Sequence, residues 1–405
     1  MQVLEKNILK HVNIMDLDQF SSINRDLLFK NLRETMPVCW HPVDTGGFWI
    51  LSKYKDILQA WKNTAELSSE HGIMLRLHNK KDPAAGKMMV VTDPPRHAQL
   101  RKLHVQALKK RTVKSFEDKI RQYVCYLLDS VESCSSFDFS EEVAAKLPVG
   151  ITCELLGIDV NDWGLIAQLT KTSAAAEDEE FSKDSSIQEA IISTNNEIFS
   201  YFFRQINYRR DNLSDDMISH LINTTIDGIH LTNEEIAMNC FSLLIGGNET
   251  TKYASVGGLY AFICNPEEWQ YLKKNSNGIS LAIEEVLRWT TPVMHSMRIA
   301  KCDTHIGGTF ISEGEIITLW NNSANRDSEI FRAPEVFDVK RSPNRHISFG
   351  WGPHNCLGAS IARLELSILF REMANRNYDF KLISDPLFVR SNVLNGVKHL
   401  NIAIS

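Results

Sequence analysis

Apolar residues recur at helical spacing along most of the chain, and the longest such pattern covers residues 233–264. It opens with a capping box, in which the side chains of Thr232 and Glu235 can satisfy the first free amides, and it ends before Pro266. At 1.5 Å per residue this helix would be on the order of 45 Å long. A helix of that length must run through the core.

Strand patterns occur in two short zones. The segment GFWILSKY, residues 47–54, has aromatic and β-branched residues beside a Gly-Gly turn, and residues 302–319 form a second strand-rich zone. No internal repeat or low-complexity linker marks a domain boundary. We therefore predict a mainly α protein with a small β region, in which residues 1–405 form one domain.

Composition narrows the class of protein. Of the 405 residues, 43% are hydrophobic and 23% are charged, and the net charge of -6 argues against a nucleic-acid binder. No apolar stretch approaches the ~18 residues of a membrane span, and the first residues are too charged for a secretory signal. The eight cysteines contain no C-x-x-C pair, which favours a reducing compartment. We expect an unanchored, monomeric, cytoplasmic protein.

The segment FGWGPHNCLG, residues 349–358, places Cys356 in a glycine-rich turn just before a helical pattern. Glycines 350, 352 and 358 tolerate backbone conformations that a side chain would forbid, so a flat ligand could lie against the main chain. A helix start favours anions and should lower the pKa of the Cys356 thiol. Most intracellular cysteines are inert core residues, but the spacing of this segment favours a thiolate ligand. A single cysteine argues against zinc or an iron–sulfur cluster.

Two further groups of residues have the spacing of functional or structural sites. Gly246 and Gly247 interrupt the long helix at roughly 1 kcal/mol each, and the polar residues after them would be costly to bury unless they are hydrogen-bonded or used. Glu285 and Arg288 lie three apart on a helix, where an ordinary surface pair would be worth a few tenths of a kcal/mol. Close helix packing remains the alternative for the glycines.

These motifs resemble those of the cytochrome P-450 family, and they occur in family order over nearly the whole chain. The resemblance implies a triangular helical prism with a long central helix, and haem b between that helix and the cysteine loop. It makes Cys356 the axial ligand, whose thiolate favours O–O cleavage at the iron. The implied activity is that of a monooxygenase, with O2 as co-substrate and electrons from NAD(P)H through redox partners.

The resemblance also assigns roles to individual residues. Residues 246–251, GGNETT, resemble the family's acid and alcohol motif. Gly246 and Gly247 would leave room for dioxygen over the haem. Thr250 would donate a hydrogen bond to bound oxygen, and Glu249 would relay protons on a locally opened helix. The implied haem contacts are His97, Arg101, Gly247, Arg298, Phe349, Gly350, His354, Cys356 and Gly358. The implied stabilisers of the cysteine loop are Glu285, Arg288 and Arg341.

The resemblance places a mainly apolar substrate pocket at Ile73, Met74, Leu75, Leu244, Ile245, Gly246, Val293, Met294, His295, Val393 and Leu394. Such a pocket suits a lipophilic or aromatic molecule, in a setting like natural-product tailoring, and His295 would orient a substrate group or be solvated. Electrons would come from a ferredoxin and its reductase, docked on a basic patch of Lys102, Lys109, Lys110 and Arg111.

Three other activities remain open at this level. A peroxygenase, or a redox-neutral isomerase or dehydratase, would keep the haem and change the reaction. A non-catalytic haem sensor could retain Cys356 and the cationic residues. The pair of Glu249 and Thr250 favours the monooxygenase over all of these.

Overall fold

The computed structural model describes residues 13–20, 24–43, 46–75, 81–110, 113–175, 177–180 and 187–404. Helices dominate these ranges. They are α1 (Asn24–Thr35), α2 (Tyr54–Lys62), α3 (Arg96–Lys110), α4 (Val113–Glu132), α5 (Lys146–Leu156), α6 (Trp163–Ala175), α7 (Ile187–Asp211), α8 (Met217–Ile222), α9 (Asn233–Cys264), α10 (Pro266–Lys274), α11 (Ile279–Thr290), α12 (Asn321–Ala324) and α13 (Ala359–Asn375). The strands are β1 (Val38–Val43), β2 (Gly46–Leu51), β3 (Leu67–Ser68), β4 (Phe137–Asp138), β5 (Thr225–Ile226), β6 (Ile229–His230), β7 (His295–Ala300), β8 (Thr304–Ile306), β9 (Thr309–Ile311), β10 (Ile316–Trp320), β11 (Phe380–Leu382), β12 (Leu387–Phe388), β13 (Val397–His399) and β14 (Asn401–Ile404).

The largest sheet among the described residues has the strand order β1-β2-β10-β7-β3. Strand β10 pairs parallel to β2 and antiparallel to β7. The strand predicted at residues 47–54 ends at Leu51, because the chain turns there and α2 begins at Tyr54. The predicted zone at 302–319 contains β8, β9 and most of β10, but β7 was not predicted. All six residues of β7 are buried, so this strand lacks the alternation that marks a half-buried strand.

Helix α9 has the predicted bounds and cap. The Thr232 hydroxyl accepts from the Glu235 amide at 3.1 Å, and Glu235 Oε2 accepts from the Thr232 amide at 2.8 Å. The helix packs against α5, α6, α7, α8, α10, α11 and α13, so the predicted passage through the core is confirmed. Helical structure is continuous over residues 246–251, so the expected local opening is wrong for this structure.

Among the described residues, no helix combines the length and the apolar character that crossing a bilayer would require.

Candidate cofactor-binding and active site

A cavity lies between the middle of α9 and the loop at residues 348–358, with further walls from α3, α5, β7 and α13. It brings together residues that are far apart in the sequence. The predicted site residues on its wall are Ile73, His97, Arg101, Gly246, Gly247, Thr250, Val293, Arg298, Phe349, Gly350, His354, Cys356 and Gly358. Most of the remaining wall is apolar.

The cysteine loop owes its shape to two glycines that lie against Trp61. Gly350 has φ +66° and Gly352 has φ +69°. A Cβ at Gly350 would lie 3.0 Å from the Trp61 ring, and one at Gly352 would lie 3.0 Å from the Trp61 carbonyl oxygen. Both positions therefore need glycine for conformation and for space.

Gly358 has a different role from the one predicted. Its φ is -83°, which any residue can adopt, so conformational freedom is not the reason for a glycine here. The Gly358 amide donates a hydrogen bond to the Cys356 sulfur, and the Cys356 amide donates to the Phe349 carbonyl at 2.9 Å. These two bonds orient the thiol at the N-terminal end of α13.

The Cys356 thiol faces the cavity, so its accessible surface is cavity surface. Burial raises the pKa of this thiol, while the Gly358 amide and the charges of Arg101 and Arg363 only partly offset that effect. The predicted lowering of the pKa is therefore wrong for the protein atoms alone, because desolvation outweighs one amide and two guanidinium groups. A metal cation bound at the sulfur would supply the missing positive charge.

Four cationic or hydrogen-bonding side chains, His97, Arg101, Arg298 and His354, line the cavity wall. The two imidazole rings lie 4.1 Å apart between centroids. Burial, and then the charges of Arg101 and Arg298, lower the pKa of His97 to about 4. Burial and the same neighbours lower the pKa of His354 to about 2.

Burial lowers the pKa of Arg298 to about 10, and the charge of Asp93 partly opposes this effect. This excess of positive charge fits a ligand that carries carboxylates. A haem has two such groups, so the residues present suit its propionates at this edge of the cavity and its iron at Cys356.

On α9, Glu249 and Thr250 occupy different surroundings. The Thr250 hydroxyl is on the cavity wall and donates to the Gly246 carbonyl at 2.7 Å. Glu249 is 5% exposed, and it is not on the wall. Its Oε2 atom has no hydrogen-bond partner among the described residues. Thr250 thus faces the cavity, whereas its neighbour in the sequence, Glu249, lies in the packed interior.

The two glycines of α9 also differ from each other. A Cβ at Gly246 would meet nothing within 4 Å, so this position leaves open space in the cavity. A Cβ at Gly247 would lie 2.7 Å from the Thr152 hydroxyl oxygen. Close helix packing therefore accounts for Gly247, and open cavity space is the distinctive feature of Gly246.

Glu285, Arg288 and Arg341 form a buried cluster outside the cavity wall. Arg288 donates to both oxygens of Glu285 at 2.8 Å, and Arg341 Nε donates to Oε2 at 3.0 Å. The Ser348 hydroxyl donates to the Leu287 carbonyl at 2.7 Å. Because Leu287 lies on α11 with Glu285 and Arg288, this bond ties α11 to the start of the cysteine loop.

Several residues predicted for the substrate pocket lie elsewhere. Leu244 and Met294 are fully buried in hydrophobic clusters, Leu244 on α9 and Met294 in the segment just before β7. Val393 and Leu394 pack together in another cluster, against which Met74 and Ile245 also lie. None of these six is on the wall of this cavity, so the structure does not bring them together with the other predicted site residues.

His295 is neither a cavity residue nor a solvated one. Its exposed fraction is 0%, and its ring lies 4.5 Å from that of Trp320. The Leu75 amide donates to Nε2 at 3.2 Å, so Nδ1 carries the proton that is donated to the Asn392 carbonyl at 3.0 Å. Both ring nitrogens of His295 thus bind the protein, which leaves neither for a substrate. Leu75, which was also predicted to line the pocket, is buried, with an exposed fraction of 1%.

The predicted basic patch is described only in part. Lys102 is exposed on α3, whereas the side chains of Lys109 and Lys110 and the whole of Arg111 lie outside the described residues.

Trp61 and Glu365 are among the residues of the site that were not predicted. Trp61 donates from its ring nitrogen to Asn321 Oδ1 at 3.1 Å, and the Arg298 guanidinium lies 4.7 Å from its ring centroid. Glu365 lines the cavity from α13, where burial raises its pKa to about 8. It follows Ile361 by four residues, so helical periodicity alone could have identified a carboxyl group on an apolar face.

A thiol and a cationic edge that face one apolar cavity beside a long buried helix define a haem-thiolate protein. Residues 279–392 match the family model described as cytochrome P450. The chain is 33% identical over 383 residues to cytochrome P450 NovI of Streptomyces niveus, with 94% of this chain and 93% of the relative covered. It is 31% identical over 387 residues to linalool 8-monooxygenase of Pseudomonas putida, with 93% and 95% covered.

Among solved structures, the crystal structure of P450 OxyD matches with a TM-score of 0.87 at 31% identity, covering 97% of this chain and 99% of that one. The chain belongs to the cytochrome P450 family, and the predicted fold class is confirmed. It is a monooxygenase that uses haem iron and O2, with electrons from a redox partner.

Proposed function

We propose that this enzyme inserts one oxygen atom from O2 into a lipophilic or aromatic small molecule held against α9. The observation that supports this most directly is that Cys356 and Thr250 face the same apolar cavity, one from the loop and one from the helix. A sensor would have no use for a hydroxyl placed there. A peroxygenase would not need the buried carboxyl group of the adjacent Glu249.

In this proposal the haem supplies the oxygen-activating chemistry, and the protein positions its partners. Cys356 would bind the iron, and the propionates would lie at His97, Arg101, Arg298 and His354. Because the Thr250 hydroxyl directs its proton to the Gly246 carbonyl, its lone pairs are available to hold a proton donor such as water in the cavity. Glu249 would be the buried acid that replenishes this donor.

The cavity wall limits the substrate class. Its apolar lining includes Ile73, Met89, Val90, Leu243 and Val293, and Ser242 and Ser296 add scattered hydroxyl groups. Such a surface favours an apolar ligand fixed by few hydrogen bonds. We place the reaction in natural-product tailoring, which is supported by OxyD, a solved relative involved in the biosynthesis of vancomycin-type antibiotics. We assign the electrons to NAD(P)H through a ferredoxin and its reductase, which would dock near the exposed Lys102 in the cytoplasm.

The first test is spectroscopic. Reduced holoenzyme exposed to carbon monoxide should show the red-shifted Soret band of thiolate ligation, and Cys356→Ala should lose it. Retention of that band in the variant would overturn the assignment of Cys356. Linalool, a steroid and a small aromatic acid can then be titrated to find the compound that shifts the haem spin state most.

The second test concerns Thr250. With that compound and a surrogate ferredoxin system, Thr250→Ala should lower the product formed per electron pair about ten-fold or more, because proton transfer by a positioned group contributes 10²–10⁴-fold. Thr224→Ala is the matched control, since Thr224 makes the same hydroxyl-to-carbonyl bond, to His220 at 2.6 Å, away from the cavity wall. Equal yields in the two variants would refute the role of Thr250. Product from hydrogen peroxide alone, with none from O2, would show a peroxygenase instead.

A further inference from the structure

Glu249 needs a route to solvent if it is to supply protons repeatedly. It is 5% exposed, and its Oε2 atom has no hydrogen-bond partner among the described residues. The cation on the same helix does not pair with it. Lys252 is 1% exposed, and its ammonium donates to Glu141 at 3.3 Å, on the same oxygen that Lys171 contacts at 3.0 Å.

Tyr253 lies one helical turn after Glu249 and is fully buried. Its hydroxyl also lacks a hydrogen-bond partner among the described residues. Burial, and then the charge and proximity of Glu249, raise the pKa of Tyr253 well above its usual value. Because residues four apart lie on one face of a helix, the two groups are close neighbours in the buried interior.

The Tyr253 ring packs directly against Gly396, where a glycine leaves space for it. A Cβ at Gly396 would lie 2.0 Å from Cδ1 of Tyr253, so a larger residue at 396 would displace the ring. The same ring lies in a cluster with Val389 and Val393, and the Lys252 ammonium lies 5.5 Å from its centroid. The hydroxyl is thus held beside Glu249 by packing on the C-terminal segment.

Titratable groups continue outward from Tyr253. Asp178 adjoins the cluster that holds the Tyr253 ring: its amide donates to the carbonyl of Ala175, a member of that cluster, at 3.0 Å, and its Oδ2 accepts from the Arg390 amide at 3.0 Å, next to Val389. The charge of Asp178 also adds to the rise in the pKa of Tyr253. Asp178 accepts from the Lys398 ammonium at 2.8 and 3.0 Å. Lys398 also contacts Glu180 at 3.2 Å, and the Glu180 side chain is 38% exposed. A series of ionisable side chains therefore runs from the cluster around Tyr253 to the surface.

We infer that Tyr253 is a positioning residue that connects Glu249 to this surface network and renews its proton between turnovers. The hydroxyl gives its proton to the Glu249 carboxylate and takes one from the Asp178–Lys398 pair, which is reprotonated from solvent beside Glu180. Tyr253 ends unchanged, and no electron moves. Because the hydroxyl stays protonated, it passes protons on without storing charge in the core. This inference rests on the proposed role of Glu249.

Tyr253→Phe tests the inference because it removes the hydroxyl and keeps the ring that packs on Gly396. Tyr201→Phe is the matched control, since Tyr201 is a buried tyrosine on α7 that donates to Asp162 at 2.8 Å. The infrared spectrum is recorded at the lowest pH at which the protein stays folded. The band of the protonated Glu249 carboxyl group is identified there as the band that disappears in Glu249→Gln. After transfer to D2O, Tyr253→Phe should slow the shift of this band at least ten-fold, and Tyr201→Phe should not.

Turnover gives an independent readout. With O2 and a ferredoxin system, Tyr253→Phe should raise the solvent isotope effect and lower coupling several-fold, whereas turnover with hydrogen peroxide should be unchanged. Asp178→Asn, further out, should act in the same direction. Exchange and coupling equal to those of the wild type in Tyr253→Phe would overturn the inference. If the wild type itself gives no O2-dependent product, the proposed function fails, and the infrared exchange still decides the proton route.

Discussion

Separate replacement of the two adjacent glycines of α9 by alanine should change the free energy of unfolding in opposite directions. Each alanine gains roughly 1 kcal/mol of helix propensity. At Gly246 the new methyl group meets nothing within 4 Å, so the whole gain should remain. At Gly247 it would lie 2.7 Å from the Thr152 hydroxyl oxygen, and overpacking of this kind costs about 1–3 kcal/mol. Gly247→Ala should therefore be between neutral and about 2 kcal/mol less stable.

The size of the chain decides the assay. At about 2.1 cal/mol/K of unfolding entropy per residue, 1 kcal/mol shifts the melting temperature of 405 residues by only about 1 °C. Urea titrations of the matched variants, followed by circular dichroism and compared at equal slope, are the better measurement. The difference between the two alanine variants should be about 1–3 kcal/mol.

A double-mutant cycle locates the cause of that difference. Thr152→Ala removes the atom that the new methyl group meets, so it should cost less beside Gly247→Ala than alone, with a coupling energy of about 1–2 kcal/mol. The same cycle with Gly246→Ala should show no coupling. If the two glycine variants were equally stable, or if Thr152→Ala gave no relief, the steric explanation for Gly247 would be refuted.

Two further predictions concern the adjacent carboxylates Glu284 and Glu285 of α11. Glu285→Gln should destabilise the fold by about 3–5 kcal/mol, because it leaves the buried guanidinium groups of Arg288 and Arg341 without a counter-ion. The control Glu142→Gln, which breaks an exposed pair with Lys146, should cost less than about 0.5 kcal/mol in the same urea titration. Similar losses of stability in the two variants would contradict the argument. Burial would raise the pKa of Glu284, but hydrogen bonds from Arg363 and His346 outweigh it and lower the pKa to about 2. Since the folded-state pKa lies below the unfolded value of about 4.5, this carboxylate stabilises the fold above that pH and loses its contribution as the pH falls toward 2. Glu284→Gln should flatten the acid side of the plot of unfolding free energy against pH, and an unchanged slope would show that the contacts of Glu284 contribute nothing.

The sequence predicts most where one local pattern determines the structure. The bounds of α9 follow from the Thr232–Glu235 cap and from Pro266, which act within a single turn. The residues around Cys356 could likewise be placed on a common cavity wall, because the loop, α3 and α9 each carry a local motif.

What the sequence could not predict depends on long-range packing. His295 has the composition of a pocket residue, but its surroundings come from Leu75, Trp320 and Asn392, and only the folded chain brings these together. The pKa of the Cys356 thiol could not be predicted either, because it depends on how much folded protein surrounds the loop. Strand β7 was missed because both of its faces are covered.

Trp61 joins the two halves of the cofactor site. Its backbone and ring lie under the two glycines of the cysteine loop, and its ring face lies against Arg298 at the cationic edge. The indole of Trp61, which takes no part in the chemistry, therefore sets the distance between the thiol and the groups that would hold the propionates. A ligand that orders either edge restrains the other through the same ring, so assembly of the holoenzyme should be cooperative across the width of the site.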